Sequence, residues 1–369
     1  MYDQIREDTF HMMLYAVVTA MALMASCYLL FRQGNAFAFN ITSPVRLRRW
    51  TAAFFACIAL CHFWYLPMYF LTSSDDMMLG NLIAVLLDCV TVIPLTIVEL
   101  LVMLQDRRRP LWPVALMVAP LVAGMVYSIA RRSDDLQPML FAYFLLMWLG
   151  LAIYMTRAIR QYGRWLRDNY ADLKNKEVWQ CFVVLGVMLL TYVVYSLDTG
   201  DIIYEYAMEI IIMVLICYLL WRVETLSDLS ISVDDAEAET DATENVEDHP
   251  LPTSIRKNIG LLLEKHCEEP QLYLQYNISL SQLAQTIGTN RLYLSQHFSS
   301  QGLTYNAYIN GLRIQHFIKL YHEAVATHRF VSARQLALQS GFRSYSTFYA
   351  AFKQSMGMTA TEWMRVSES

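Results

Sequence analysis

The sequence is short of charge. Only 17 % of its 369 residues are Asp, Glu, Lys or Arg, where a water-soluble domain carries about a quarter. A soluble chain of this length would form about two domains, and their surfaces would need more charge. The shortage excludes a wholly water-soluble enzyme. Glycine (13) and proline (10) are scarce too, which excludes a collagen-like or Pro/Gly-rich disordered chain. The 7 cysteines show no Cys-x-x-Cys pair and no disulfide framework. No phosphate-binding loop, GxGxxG turn, kinase signature or nucleophile elbow is present. The reading is therefore of a chain that performs no catalysis and takes no cofactor.

The charge that is present is unevenly placed. Residues 1–222 hold 17 bases and 17 acids. Residues 223–254 hold 10 acids and no base, and residues 255–369 hold 11 bases and 6 acids. Net charges of 0, −10 and +5 account for the overall −5 and imply three physical tasks.

The first zone is expected to be a membrane domain. Roughly 20 apolar residues as helix cross a bilayer core. Seven stretches are long enough: Phe10–Phe31, Thr51–Leu71, Leu79–Leu104, Leu111–Ala130, Met139–Thr156, Val178–Leu197 and Ile202–Trp221. The second and the fourth to sixth contain no charged side chain, whereas a soluble helix would show a polar face. The acidic leader Met1–Thr9 argues against a signal peptide, so the first stretch is read as a retained helix. Loop arginines and lysines set the orientation. One side carries 14, including Arg46, Arg48, Arg49, Arg107–Arg109 and Arg157–Lys176; the other carries Arg6, Arg131 and Arg132. The basic side faces the cytoplasm of a bacterial inner membrane, with the N-terminus outside and the C-terminus inside.

Six cysteines (Cys27, Cys57, Cys61, Cys89, Cys181, Cys217) fall within these stretches as small apolar residues. Cys57, Cys61 and His62 lie close on one helix, but no matching ligands appear elsewhere, so no metal site is expected. Ionisable residues at membrane depth are costly and mark function. His62, Asp88, Glu205 and Glu209 are the candidate sensor residues, around a polar pocket for a small or lipophilic ligand, a cation or protons. Glu99, near the inner face, is a weaker candidate. The plain alternative is hydrogen bonding between helices.

Residues 223–254 contain no aromatic side chain. Such a segment cannot bury enough surface to offset its ordering entropy, and self-repulsion extends it. It is read as a solvated flexible linker.

The third zone repeats itself. Ser279-Leu-Ser-Gln282 and Ser332-Ala-Arg-Gln335 are both capping boxes. Leu283-Ala284 and Leu336-Ala337 follow, then Gly288 and Gly341 nine residues after each cap, where a helix turns through φ > 0. Asn290 and Ser344 cap a second helix in each copy. Leu294/Phe298 and Phe348/Phe352 supply core pairs, and Gly302-Leu-Thr304 and Gly357-Met-Thr359 close them. Tyr308 and Trp363 then stand at matching places, and Tyr305–Tyr321 reads as a connecting helix. The five histidines here (His266, His297, His316, His322, His328) read as surface or boundary residues. Helix, glycine turn and second helix make a helix-turn-helix, whose second helix enters the DNA major groove. Two matched copies on a +5 domain lie near 279–299 and 332–353.

On these residues, with Tyr293, Tyr305, Ile309, Leu312-Arg-Ile314, Phe342 and Lys353, the chain resembles the AraC/XylS family of bacterial transcription regulators over about 255–364. The resemblance implies a seven-helix DNA-binding domain with two recognition helices in adjacent major grooves. It carries base contacts onto Leu292, Ser295 and Gln296, and onto Tyr345, Ser346, Thr347, Tyr349 and Ala350. Helix geometry agrees, since these lie off the core-facing side. Arg291, Arg343 and Lys353 suit phosphates. The chain departs from the family at Gln296 and Ala350, where many relatives carry Arg, at Ala360, usually Pro, and at Phe317, often Ala. Gln296 can still read adenine, while the modest phosphate grip favours a homodimer on DNA.

The expected architecture is all-α: a seven-helix membrane bundle over 1–222, an acidic linker over 223–254, and the helical DNA-binding domain over 255–369. The expected function is a one-component regulator that lies in the lipid bilayer, senses through its membrane helices and binds double-stranded DNA. The alternative is an integral-membrane transporter or enzyme with a DNA-binding tail. The orientation has a direct check: alkaline phosphatase fused after Ser369 is expected to stay inactive in cells, and an active fusion would overturn it.

Overall fold

The computed structural model describes residues 8–38, 41–71, 73–105, 110–173, 176–196, 202–229 and 253–368. The chain divides into two compact units: Met1–Arg160 with Val178–Leu229, and Gln161–Glu177 with Ser230–Ser369. All regular structure among the described residues is helical, apart from one isolated antiparallel bridge. Most of the expected linker (230–252), the loop acids Asp198 and Asp201, and Arg107–Arg109 lie outside the described residues.

The first unit contains α1 (Thr9–Phe31), α2 (Val45–Tyr65), α3 (Ser74–Val90), α4 (Val92–Val102), α5 (Trp112–Arg131), most of α6 (Gln137–Asn169), α7 (Cys181–Ser196) and α8 (Ile202–Thr225). Six helices among the described residues are long and apolar enough to cross a membrane, with α3 and α4 counted as one. They match six of the seven expected stretches. The remaining stretch forms α7, whose 16 described residues rise only about 24 Å. It packs on α8 and α4 within the same bundle. Large apolar side chains cover the outside: Phe31 is 78 % exposed, Met139 70 % and Leu116 64 %. A surface this apolar needs a non-aqueous or protein neighbour.

The third stretch breaks at Thr91, whose φ of −121° and ψ of −69° leave the helical region. Pro94 is the cause. It cannot donate to the carbonyl four residues back, so it is tolerated only in a first turn. The break ends α3 just after Asp88 and Cys89.

Arg32, just past α1, lies 3.0 Å from Glu224 near the end of α8. The side chains are 8 % and 0 % exposed, close as an ion pair but not aligned as a hydrogen bond. Asn35 Nδ2 donates to the Glu224 carbonyl at 2.7 Å. Gln105 Nε2 donates to the Ser227 carbonyl, and the Asp228 N–H to the Thr42 carbonyl at 2.9 Å. The start of the acidic zone is thus not solvated. Glu224 stays buried because it neutralises a buried arginine, a pair that is costly to leave half-made.

The second unit contains α9 (Thr253–Leu263), α10 (Leu280–Thr286), α11 (Arg291–Ser300), α12 (Tyr305–Ala326), α13 (Ala333–Gln339), α14 (Tyr345–Met356) and α15 (Ala360–Glu368), seven α-helices among the described residues. Each begins or turns where local chemistry demands. Ser279 and Gln282 close a reciprocal capping box. Asn290, Thr304, Ser332 and Ser344 each accept from a backbone N–H in the first turn. Two separate cores form. Leu283, Leu294, Phe298, Tyr305 and Ile309 fill the first, and Phe317, Tyr321, Leu336, Phe348 and Phe352 the second. The copies pack alike, with Phe298 against Tyr308 at 4.8 Å and Phe352 against Trp363 at 6.0 Å between ring centroids. Phe317 packs its ring against Phe348 at 4.6 Å between centroids. α12 supplies side chains to both cores and joins them.

Two contacts lock the copies together. Arg313 on α12 is 1 % exposed. Its Nε donates to the Tyr273 carbonyl at 2.7 Å and its Nη2 to the Gln275 carbonyl at 2.8 Å, while Cζ lies 5.6 Å from the Phe342 ring centroid. Burial, partly countered by nearby Tyr305, pulls the guanidinium down to about 10, so it stays charged at neutral pH. Gly341 turns at φ +84° with no room beside it: a Cβ would lie 2.6 Å from Leu274 Cα. Gly288 turns at φ +73° into open space. Gly288→Ala is expected to cost about 1–2 kcal/mol for the left-handed backbone alone. Gly341→Ala adds overpacking against rigid backbone, for roughly 2–5 kcal/mol in all. Amide hydrogen exchange in α12 reads both, and equal losses would contradict the close approach.

Candidate nucleic-acid interface and helix-bundle cavity

The two copies present their second helices, α11 and α14, in the same way. Leu294 and Phe298 point one side of α11 into the first core, and Phe348 and Phe352 do so for α14. The opposite sides carry the residues expected to meet DNA. Leu292, Ser346, Tyr349 and Ala350 are exposed, and Ser295 and Gln296 are half-buried. Two members are partly occupied by the fold. Tyr345 packs its ring 5.8 Å from Phe348. Thr347 supplies the N–H that caps on Ser344, with the two hydroxyls 2.9 Å apart. Lys353 is exposed at the far end of α14.

Arg291 and Arg343 flank the N-caps of the two second helices, Arg291 just after the Asn290 cap of α11 and Arg343 just before the Ser344 cap of α14. Both are engaged by the segment at the end of α6, from its last residue Asn169 to Asp172. Arg291 Nε donates to Asn169 Oδ1 at 2.9 Å, and Arg343 Nη1 lies 3.5 Å from Asp172 Oδ2. That segment is part of the second unit's packing. Tyr170 makes an antiparallel bridge with Ser279, and Ala171 lies inside the first core. Asn306 Nδ2 donates to the Tyr170 and Ala171 carbonyls at 3.1 and 2.8 Å. Lys176 donates to the Asp172 carbonyl at 2.9 Å and lies over the Tyr170 ring, and burial lowers its ammonium below the ordinary lysine value.

The sequence alone did not point to Asn169, Asp172 or Asn306, and it named Arg313 only within the Leu312-Arg-Ile314 motif, without its role at the junction. The first two carry no local signal, because their partners lie 122 and 171 residues away. His297, read as a surface or boundary residue, is instead buried, its ring 3.1 Å from the Gln301 amide nitrogen. It follows Gln296 on the side of α11 that turns inward.

In the first unit, His62, Asp88, Glu205 and Glu209 all line one cavity of about 600 Å³. Asp88 Oδ2 accepts from the Tyr65 hydroxyl at 2.6 Å and Oδ1 from Trp64 Nε1 at 3.2 Å. His62 Nδ1 lies 2.8 Å from the Ile58 carbonyl and so is the donor there, while Nε2 faces Glu209 Oε2 at 3.4 Å. The Tyr15 hydroxyl donates to the His62 carbonyl. The rest of the lining is mostly apolar and aromatic, including Phe54, Phe141, Phe144 and several methionines. Glu99 stands apart from this cavity, fully buried, accepting from Thr51 Oγ1 at 2.7 Å. No group of three metal-binding side chains is found among the described residues.

Residues 283–365 match the family model for a helix-turn-helix domain. The TCP pilus virulence regulatory protein of Vibrio cholerae is 36 % identical over 76 residues, covering 21 % of this chain and 26 % of that one. An uncharacterised HTH-type transcriptional regulator of Staphylococcus aureus is 26 % identical over 120 residues, covering 31 % of this chain and 15 % of that one. The chain thus spans about a quarter or less of the curated relatives it matches. No solved structure matches it significantly. The C-terminal part of the chain holds a helix-turn-helix domain of the AraC type.

Proposed function

We propose that this protein is a membrane-embedded, one-component transcription regulator. The observation that carries the reading is the joining, in one chain, of paired helix-turn-helix copies to apolar helices of membrane-crossing length. In this reading the helices of the first unit lie in the bacterial inner membrane, with the DNA-binding part in the cytoplasm and the acidic stretch beyond the end of α8 as the linker. The chain carries out no catalysis.

DNA recognition divides into two tasks. Arg291, Arg343 and Lys353 hold phosphates, which position the protein without specifying sequence. Leu292, Ser295 and Gln296 on one helix, and Tyr345, Ser346, Thr347, Tyr349 and Ala350 on the other, face the bases. Gln296 can bond adenine in two places, whereas Ala350 offers only a methyl contact, suited to thymine. Three phosphate-holding residues are a modest set, so two copies on paired half-sites raise the effective concentration each needs.

Sensing is assigned to the cavity around His62, Asp88, Glu205 and Glu209. Its size and largely apolar lining suit a small or lipophilic ligand held by few polar groups. A signal shifts the protein only by binding one state of the bundle better than another.

Genome-wide occupancy of a tagged protein, with transcript profiling of a deletion strain, tests the central claim. Bound sites upstream of affected genes support it, and an absence of enriched sites refutes it. On a site so found, Gln296→Ala is expected to cost about 1–3 kcal/mol at one base position; an unchanged profile across site variants would remove Gln296 from base reading. Asp88→Asn is expected to alter target transcription in cells while duplex affinity of the purified protein stays the same. Solute uptake into proteoliposomes that is lost in Asp88→Asn would favour a transporter instead.

A further inference from the structure

The segment at the end of α6 engages two of the three basic residues expected to hold DNA phosphates. Four residues, Asn169 to Asp172, reach both helix-turn-helix copies. Asn169 meets Arg291 at the start of one recognition helix, and Asp172 meets Arg343 ahead of the other, at 2.9 and 3.5 Å. An amide oxygen and a carboxylate are the same kind of acceptor that a phosphate oxygen presents to a guanidinium. The segment does not lie loosely there. Ala171 is buried in the first core, the 170–279 bridge holds its backbone, and Asn306 binds two of its carbonyls. Asp172 is itself 2 % exposed, while the Arg343 side chain remains 33 % exposed. The arginine is therefore the accessible partner of a buried carboxylate, and a partly exposed pair at 3.5 Å is weak enough for an incoming phosphate to displace.

We infer that Asn169 and Asp172 form an internal clamp that competes with DNA phosphates for Arg291 and Arg343. This rests on the DNA-binding reading above. The described structure is then a low-affinity arrangement, and full DNA binding requires both arginines to leave the clamp. The segment continues from the last turns of α6 without a break in the chain.

The test uses full-length protein in nanodiscs and a fluorescent mixed-sequence DNA duplex, read by anisotropy over a salt series. Asp172→Asn keeps the side-chain shape and is expected to tighten binding roughly two- to five-fold, the equilibrium equivalent of a partly exposed ion pair. The freed arginine should steepen the salt dependence by about 0.9 in log–log slope, one added phosphate contact. In the Arg343→Ala background the same substitution should change nothing, which separates release of the arginine from simple removal of a negative charge. Asn169→Asp should act in the opposite sense and weaken binding, a sign that general destabilisation of Asp172→Asn could not produce. Unchanged or weaker binding by Asp172→Asn, or a gain that persists without Arg343, overturns the clamp. If no variant binds the duplex even at low salt, the DNA-binding reading falls with it.

Discussion

The arrangement of the C-terminal part depends on one buried cation. Arg313 lies on the helix that joins both copies, and its guanidinium ends on two carbonyls just ahead of the first, those of Tyr273 and Gln275, and against Phe342 of the second. A buried charge without acceptors would be expelled into water. Those carbonyls must therefore stay where the arginine can reach them. Gly341 tightens the same junction, since its missing side chain lets the second turn rest on the backbone of Leu274. The spacing between α11 and α14 is held by this junction together with α12, which supplies side chains to both cores.

The first unit solves a different problem with the same means. Its helices expose apolar side chains outward and reserve polar groups for a few interior partnerships. Glu224 answers Arg32, Glu99 takes a hydroxyl from Thr51, and Asp88 takes two donors from neighbouring aromatic residues. The break at Thr91 matters here. By ending α3 before Pro94, it leaves Asp88 in a last helical turn beside the cavity rather than deep in a continuous helix.

Much of this was legible residue by residue. Caps, glycine turns and the i, i+4 core pairs are local, so Ser279, Asn290, Ser344, Gly288 and Gly341 announced both helix-turn-helix copies without any tertiary information. Apolar length announced the bundle. Other features stayed hidden because their cause is remote. Nothing near Asn169 or Asp172 foretells arginines 122 and 171 positions on. Glu224 reads as part of a solvated acidic run until Arg32 stands beside it. His297 reads as a boundary residue until the packing of α11 turns it inward.

The scarcity of charge and its division among three zones already specified an apolar helical body and a basic, twice-repeated head, because period, capping and charge density act over a few residues. Folding alone decided which distant groups meet. It gathered His62, Asp88, Glu205 and Glu209 around one cavity, though they come from three separated stretches. It also set Asn169 and Asp172 against the two arginines. Such pairings follow from how helices pack, and packing is a property of the whole chain rather than of any window along it.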